Sequence, residues 1–216
     1  MSIKTRLTLE LAKRVLPKER FAVNLRERKV SKNAAPVYLT FDDGPHPDFT
    51  PRLLDEITKL KAKATFFVLG KRAQLYPNLV RRILAEGHSV GTHTWSHWSA
   101  RKVSVATWIK DVQCARHEVE DITGKPCKLF RPPYGELTPL SLLALMREGI
   151  RTIHWSQDTK DFACTSKSKF CQWFADNTPT PGTIVLMHDL TALTHENLLE
   201  GCSHWQENTE FLSIPE

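Results

Sequence analysis

Two short segments of this sequence carry side chains that are suited to binding a cation. Asp42 and Asp43 are adjacent and follow an apolar stretch, so their mutual repulsion requires a nearby cation such as a metal ion or an arginine. His93 and His97 are four residues apart, and one helical turn between them would direct both imidazoles to the same side. Two imidazoles and one carboxylate, with positions left for water and substrate, suit zinc and also cobalt, iron or other divalent metals.

Three further segments place polar side chains where they can assist catalysis. Arg131 precedes two prolines that hold the chain extended, and its guanidinium can pair bidentately with one carboxylate of the aspartate pair. Asp158 and Asp161 follow another apolar segment. His188 ends an apolar segment and can serve as a general acid when a nearby carboxylate keeps it protonated.

Each of these segments also has an ordinary structural explanation. The residues Asp43, Gly44 and Pro45 can form a polar turn, and one histidine of the pair can be a surface group. Arg131 can be a surface residue at a turn, and a single histidine such as His188 at a strand end is more often structural. The occurrence of five such segments in one chain favours the catalytic interpretation.

The elements that must position these residues are alternating strands and helices. Apolar segments predict strands at 37–41, 64–69, 88–93, 128–132, 152–156, 183–188 and 210–214, and helical periodicity predicts helices near 50–61, 73–86, 105–123, 138–148, 168–176 and 195–207. Thr138 is an N-cap before Pro139, and Gly87 and Gly149 end helices. Strands separated by helices imply a parallel sheet, open or closed into a barrel, whose carboxyl-terminal edge collects the candidate residues. Trp108, Val112 and Val119 are predicted core residues of the 105–123 helix.

Composition and charge exclude several classes of protein. The chain has 216 residues and a formal net charge of +6, and this excess lies within residues 1–30, so we do not expect the rest of the chain to bind nucleic acid. No strand is followed by a glycine-rich phosphate-binding loop, and no apolar run is long enough to span a membrane. The five cysteines are an odd number without a CxxC pair, which favours free thiols in a reducing compartment.

The sequence predicts two parts, a basic N-terminal arm at 1–35 and a catalytic domain at 36–216. Residues 3–15 form a predicted basic amphipathic helix that either packs on the domain or docks on a membrane surface through residues 1–30. Charges interrupt the apolar stretch that a signal peptide needs. We therefore expect a cytoplasmic location or the cytoplasmic face of a membrane, and export only if a leader was removed or another route is used.

Taken together and in this order, the motifs resemble those of the NodB-like polysaccharide deacetylases, carbohydrate esterase family four. The five motifs are Thr-Phe-Asp-Asp-Gly-Pro at 40–45, His-Thr-Trp-Ser-His at 93–97, Arg-Pro-Pro-Tyr-Gly at 131–135, Asp-Thr-Lys-Asp-Phe at 158–162 and Val-Leu-Met-His at 185–188. The resemblance covers residues 36–214 and implies an α/β fold, the distorted (β/α)7 barrel of the NodB homology domain, with a metal at its mouth.

The resemblance also implies a role for each site residue. Asp43, His93 and His97 would bind a divalent metal, most simply Zn²⁺, with Co²⁺ or another divalent ion as alternatives. Asp42 would be the general base, oriented by Arg131, and His188 the general acid, tuned by Asp161. The backbone N–H of Tyr134 would complete the oxyanion hole. Leu186, Phe162 and Trp155 would form the substrate-binding wall; Phe162 departs from the usual Trp, which puts the shape of the substrate in doubt.

The expected activity is removal of N-acetyl groups from an amino sugar in a chitooligosaccharide, peptidoglycan or glycan precursor, with release of acetate. The alternatives are an allantoinase-like hydrolase of another C–N bond in a small molecule and a metal-bearing binding module without catalysis. The intact aspartate pair and His188 favour the deacetylase. We expect a monomer. The remaining histidines are predicted to be structural or solvated, and His46 is the one nearest to the site: His46, His88, His117, His154, His195 and His204.

Overall fold

A computed structural model describes residues 10, 16, 20–22, 24–25 and 34–215 of the chain. Their strands form one sheet, in which the neighbouring strands pair in parallel. The strands are β1 (Phe21–Ala22), β2 (Ala35–Asp42), β3 (Ala64–Val68), β4 (Ser89–Thr92), β5 (Leu129–Phe130), β6 (Arg151–Ile153), β7 (Gln157–Asp158), β8 (Thr183–His188) and β9 (Thr209–Phe211). Their order is β1-β6-β5-β4-β3-β2-β8-β7, and β9 pairs with the beginning of β2.

The α-helices lie between these strands. They are α1 (Phe49–Lys59), α2 (Gly70–Leu75), α3 (Pro77–Ala85), α4 (Val105–Thr123), α5 (Pro139–Arg147), α6 (Lys167–Asp176) and α7 (Ala192–Ser203). Short 3₁₀ turns at Pro133–Gly135 and Asp161–Ala163 follow β5 and β7. None of the described helices is both long and apolar enough to cross a membrane.

The strands and helices that the sequence predicts between residues 37 and 214 are all present, with two differences. The helix predicted at 73–86 is two helices that meet at Tyr76, because Pro77 begins the second one at a position where its missing N–H costs nothing. The strands β1 and β7 were not predicted, since two residues are too few to show a periodic pattern. Thr138 caps α5 as predicted, and its side chain accepts from the backbone N–H of Ser141.

Hydrogen bonds run around the sheet and curl it into a distorted barrel. From β2 they continue through β3, β4, β5 and β6 to β1, and β8 pairs with β2 on its other side. Asn24, two residues after β1, forms an antiparallel bridge with Thr183 of β8, and the N–H of Leu25 donates to the Gly182 carbonyl at 2.9 Å. The (β/α)7 barrel is therefore confirmed. Between β6 and β8 it is completed by the short strand β1 and by the single bridge of Asn24 with Thr183.

Alternation along β2 separates the hydrophobic core from the site. Val37, Leu39 and Phe41 pack with the helices in the largest apolar cluster, whereas Tyr38 belongs to the cluster inside the barrel. Because side chains alternate between the faces of a strand, Thr40 and Asp42 point to the same side as Tyr38. The predicted core residues Trp108, Val112 and Val119 are buried, as expected.

Other expectations concern the cysteines and the N-terminal arm. All five cysteines are free, as predicted. The helix predicted at 3–15 lies outside the described residues, apart from the helical Glu10. The division of the chain at residues 35 and 36 stays a prediction. Leu16 is described, and it packs against an apolar cluster that includes Trp108.

Replacing Phe66 by alanine is expected to destabilise the domain strongly. Phe66 on β3 is fully buried between the sheet and its helices, so the substitution removes apolar contacts and leaves a cavity. We expect the free energy of unfolding to fall by about 3–5 kcal/mol, measured by urea denaturation. The control is Leu75→Ala at the end of α2, where the side chain is 67% exposed. Equal losses in both variants would contradict this placement of the core.

Candidate active site and metal centre

The carboxyl-terminal ends of the strands surround one pocket of about 480 Å³. Nine of the eleven predicted site residues line it, and the other two, Arg131 and Asp161, lie buried behind it. The residues that line the pocket are Asp42, Asp43, His93, His97, Tyr134, Trp155, Asp158, Phe162, Leu186, His188 and Leu190. The fold therefore brings the whole predicted set together.

Asp43, His93 and His97 form a group that is suited to hold a metal ion. The Asp43 Oδ1 atom lies 3.1 Å from His97 Nε2 and 3.6 Å from His93 Nε2. Donor atoms bound tetrahedrally at about 2.1 Å from one ion would lie about 3.4 Å from each other. Asp43 Oδ1 is buried and has no hydrogen-bond partner. Such an orphaned acceptor beside two imidazoles fits a cation, and the three donors together fit a divalent one.

The protonation state of His93 also fits a metal ligand. Its Nδ1–H donates to the backbone carbonyl of Arg131 at 2.7 Å, which leaves Nε2 as the acceptor that faces Asp43. Burial lowers the pKa of His93 to about 3, more than Asp43 raises it. The ring is therefore neutral at physiological pH, as metal binding requires.

The two histidines do not converge through a helical turn, and that part of the prediction was wrong. The strand β4 ends at Thr92, and the following loop contains two left-handed residues, Thr94 at φ 67° and His97 at φ 61°. The N–H of His97 donates to Thr94 Oγ1 at 2.9 Å. This loop, rather than helical periodicity, turns His97 back toward His93.

Asp42 is held by Arg131, although not in the bidentate manner predicted. Nη1 of Arg131 donates to Asp42 Oδ1 at 2.8 Å and to Thr40 Oγ1 at 2.7 Å. Nε donates to the Ile153 carbonyl and Nη2 to the His154 carbonyl. Because the two carbonyls accept from Nε and Nη2, only Nη1 is left to donate a hydrogen bond to the Asp42 carboxylate. Asp42 Oδ2 stays directed toward the metal ligands, 3.8 Å from His93 Nε2.

Burial makes Asp42 a stronger base than an exposed aspartate. Desolvation raises the pKa of Asp42 above its ordinary value, although the charges of Arg131, His188 and His97 oppose the shift. Its side chain is only 4% exposed. A carboxylate with a raised pKa accepts a proton from water more readily, which suits a general base.

His188 is held in its protonated form by Asp161. The Nδ1 atom of His188 lies 2.7 Å from Asp161 Oδ1, and its backbone N–H donates to Asp161 Oδ2 at 2.7 Å. Burial lowers the pKa of His188, but the hydrogen bond and the negative charge of Asp161, together with Asp42 and Asp43, outweigh it and raise the pKa to about 9. Thr194 of α7 holds Asp161 from behind at 2.7 Å. His188 is thus ready to donate a proton at neutral pH.

Aromatic and apolar side chains form the walls of the pocket. The ring of Tyr134 meets His97 edge-on at 4.7 Å, and Phe162 meets His188 edge-on at 5.2 Å. Both aromatic rings are exposed, at 58% for Tyr134 and 62% for Phe162. Leu186 is buried, whereas Trp155 stacks on the ring of His154. The wall therefore combines two exposed aromatic rings with a buried apolar side chain.

The structure adds to the site three residues that were given no role, Thr40, Thr194 and Leu190, and it also places Asp158 at the pocket. Thr40 and Thr194 contact the side chains of Arg131 and Asp161, and Asp158 and Leu190 line the pocket. Asp158 and Leu190 stand in or next to the motifs, whereas no local pattern marks Thr194. His46 lines a separate cavity with Lys71 and Arg72.

The remaining histidines behave as predicted. His88, His154 and His195 are buried, and His117 and His204 are exposed. His154 contributes to the site through its backbone carbonyl, which accepts from Arg131, and through its ring, which stacks on Trp155.

Comparison with known proteins shows which family the sequence resembles. The model of the polysaccharide deacetylase family matches residues 29–153. The chain is 37% identical over 156 residues to a peptidoglycan-N-acetylglucosamine deacetylase of Bacillus cereus, a match that covers 72% of the chain and 56% of that relative. It is 32% identical over 162 residues to a chitooligosaccharide deacetylase of Azorhizobium caulinodans, covering 74% and 77%. The chain thus spans little more than half the length of the first relative.

A solved structure shares the fold. The structure of the peptidoglycan deacetylase PdaC from Bacillus subtilis aligns with a TM-score of 0.80 and 31% sequence identity, covering 86% of this chain and 90% of that one. This similarity extends beyond the segment that the family model matches and includes most of the described barrel. Motifs, fold and sequence similarity agree, and the chain belongs to the polysaccharide deacetylase family, carbohydrate esterase family four.

Proposed function

We propose that the chain is a metal-dependent N-deacetylase that acts on an N-acetylated amino sugar in a glycan and releases acetate. The observation that carries the proposal is that a buried carboxylate, Asp42, and a protonated imidazole, His188, line the same pocket as the metal-binding group. Hydrolysis of an amide needs a base for the water and an acid for the leaving nitrogen. The names of the relatives support a glycan as substrate.

Asp43, His93 and His97 would hold the cation, for which we propose Zn²⁺, with Co²⁺ or another divalent ion as an alternative. When bound, such an ion polarises the acetamide carbonyl and lowers the pKa of a water molecule. The donor set itself is two neutral imidazoles and one carboxylate, which leaves positions for water and substrate.

The other residues of the site carry out the proton transfers. Asp42 takes a proton from the water through Oδ2, while its Oδ1 atom stays bonded to Arg131. The N–H of Tyr134 donates to the carbonyl oxygen as negative charge develops there. His188 gives its proton to the sugar nitrogen, so that the C–N bond breaks and the amine leaves neutral. The products are acetate and a free amino sugar.

The walls indicate how the sugar is held. Leu186 provides a small apolar surface for the methyl of the acetyl group, and the exposed rings of Tyr134 and Phe162 offer faces on which a sugar ring can stack. Trp155 also lines the pocket, and its ring stacks on that of His154. A cytoplasmic location, membrane contact through residues 1–30 and a monomeric state stay predictions from the sequence.

The first test is hydrolysis of a substrate panel, measured as released acetate for the acetylated substrates and as consumption of substrate for allantoin. The panel holds N-acetylglucosamine oligomers, peptidoglycan fragments, a nucleotide-linked N-acetyl sugar, acetylated xylan and allantoin. We expect acetate from at least one N-acetylated glycan, loss of activity with a chelator and recovery with Zn²⁺ or Co²⁺. Hydrolysis of allantoin alone would instead support the small-molecule alternative, and metal binding without any hydrolysis would support the binding module.

Replacing Asp42 by asparagine is expected to abolish turnover without loss of metal. The amide still accepts a hydrogen bond from Arg131 but cannot take up a proton, so we expect kcat to fall by about 10²–10⁴-fold. Metal content, measured by atomic absorption, should equal that of the unaltered chain because Asp42 is outside the metal-binding group. The matched variant His93→Ala should lose the metal. Undiminished activity of Asp42→Asn would exclude Asp42 as the base.

Replacing Asp161 by asparagine is expected to shift the pH profile. His188 must be protonated to act as an acid, and with its pKa raised to about 9 its contribution is lost as the pH rises through that value. Without the negative charge of Asp161, burial lowers the pKa, so the alkaline limb of kcat/KM should move to lower pH. We expect activity at pH 7 to fall by about tenfold or more.

The matched control for this experiment is Asp176→Asn at the exposed end of α6. It removes the same charge from the same region of the chain without contact to His188, so its alkaline limb should stay in place. An unmoved limb in Asp161→Asn would contradict the assignment of His188 as the general acid.

A further inference from the structure

Helix α4 forms hydrogen bonds with the segment Trp95–Trp98, which contains the proposed metal ligand His97. One carboxylate oxygen, Oδ2 of Asp111, accepts from the backbone N–H of Trp95 at 2.9 Å and of Ser96 at 3.1 Å. From the same helix, the indole N–H of Trp108 donates to the carbonyl of Trp98 at 2.9 Å. The N–H of Trp95 also lies 3.2 Å from the backbone carbonyl of Asp111, so four hydrogen bonds connect α4 to the loop between and beyond the two histidines.

This loop needs external support because its backbone is irregular. Thr94 and His97 both have positive φ angles, which residues with a Cβ atom rarely adopt. The N–H groups of Trp95 and Ser96 follow the end of β4 and are directed toward α4. A buried N–H group without an acceptor is strongly unfavourable, so the acceptor that α4 supplies selects this backbone conformation.

The loop also packs against α2. The N–H of Gly70 donates to the Thr94 carbonyl at 3.0 Å. A Cβ atom on Gly70 would lie 2.5 Å from the ring of Trp95 and 2.8 Å from the backbone of Ala115 on α4. The loop is therefore enclosed between α2 and α4, and Asp111 provides its only charged acceptor among the contacts described here.

We infer that Asp111 is a positioning residue for the metal centre. It does not line the active-site pocket, and it stands on a helix that none of the five motifs includes. By fixing the N–H groups of Trp95 and Ser96, it sets the direction in which His97 presents Nε2 to Asp43, 3.1 Å away. The inference rests on the proposed metal-dependent function, in which His97 is a ligand.

The sequence of α4 is consistent with this role. Aspartate is an unfavourable residue in the interior of a helix, and Asp111 is the seventh of the nineteen residues of α4. Its side chain faces inward, and the residue is only 8% exposed. A carboxylate in such a position contributes to stability only if it is hydrogen-bonded, and the two N–H groups of the loop meet that need.

Substitutions of Asp111 distinguish the effect of its hydrogen bonds from the effect of its negative charge. Asp111→Asn keeps an oxygen acceptor and removes the negative charge, whereas Asp111→Ala removes both. Asp111→Ser is used as well, since its side chain ends too short to reach both N–H groups and is a milder change if the alanine variant fails to fold. Asp121→Ala is the matched control, because Asp121 lies on the same helix and is exposed.

Two measurements are made on the full chain. The first is the Zn²⁺ dissociation constant, obtained by competition with a chromogenic chelator. The second is hydrogen–deuterium exchange of the segment 93–98 in the metal-free chain, which reports on the loop without metal or substrate. We expect Asp111→Ala and Asp111→Ser to bind Zn²⁺ about 10–100-fold more weakly and to exchange faster in this segment. Asp111→Asn and Asp121→Ala should remain close to the unaltered chain in both measurements.

The inference is overturned if folded Asp111→Ala or Asp111→Ser binds Zn²⁺ as tightly as the unaltered chain and exchanges at the same rate. It is also overturned if Asp111→Asn is as impaired as Asp111→Ala, since the effect would then come from the charge alone. Failure of the proposed function has a different signature, which is no release of acetate from any glycan by the unaltered chain. In that case, hydrogen–deuterium exchange of the segment 93–98 in the metal-free variants still shows whether Asp111 fixes the conformation of the loop.

Discussion

The rest of the site depends on the burial of one charged residue, Arg131, inside the barrel. A guanidinium without water is tolerated only if its N–H groups find acceptors. Arg131 is fully buried and donates to Asp42, to Thr40 and to the carbonyls of Ile153 and His154, and its guanidinium lies 4.3 Å from the ring centre of Phe67. These acceptors come from β2 and from the end of β6, so they exist only when the sheet has curled. Removing one partner of such a pair typically costs about 3–5 kcal/mol.

The same residue connects the proposed base to a proposed metal ligand. The side chain of Arg131 orients Asp42, and its backbone carbonyl accepts from Nδ1 of His93. The distance and orientation between the proposed base and the metal-binding group are therefore fixed, because Asp42 and His93 are both hydrogen-bonded to Arg131, and the two prolines that follow Arg131 make this segment rigid. Preorganisation of this kind lets an active site stabilise developing charge without reorganising during the reaction.

Two histidines of the pocket, the buried His93 and the partly buried His188, have opposite charge states because of their neighbours. Burial lowers the pKa of His93 to about 3, while Asp161 raises the pKa of His188 to about 9. Nδ1 of His93 is hydrogen-bonded to a neutral carbonyl, whereas Nδ1 of His188 is hydrogen-bonded to a carboxylate. The negative charge of that carboxylate stabilises the imidazolium form of His188. One ring is thus neutral and suited to metal binding, and the other is charged and suited to acid catalysis.

Unusual backbone conformations are concentrated at this site. Among the described residues, four of the six non-glycine residues with positive φ are Asp43, Thr94, His97 and Tyr134. Each costs on the order of 1–3 kcal/mol and persists only where surrounding contacts impose it. The contacts of Asp111 with the loop before His97 are one such constraint.

The sequence by itself determined most of the strands, most helix ends and most of the residues at the site. These features depend on local patterns: apolar segments of strand length, a capped helix at Thr138, and polar residues placed directly after buried strands. Only the tertiary structure decided how the site is assembled. The contacts of Arg131 with Thr40, of Thr194 with Asp161 and of Trp95 with Asp111 join residues 91, 33 and 16 positions apart. No periodicity of a sequence records such pairs, because they form only when the closed barrel brings distant strands and helices to the same edge.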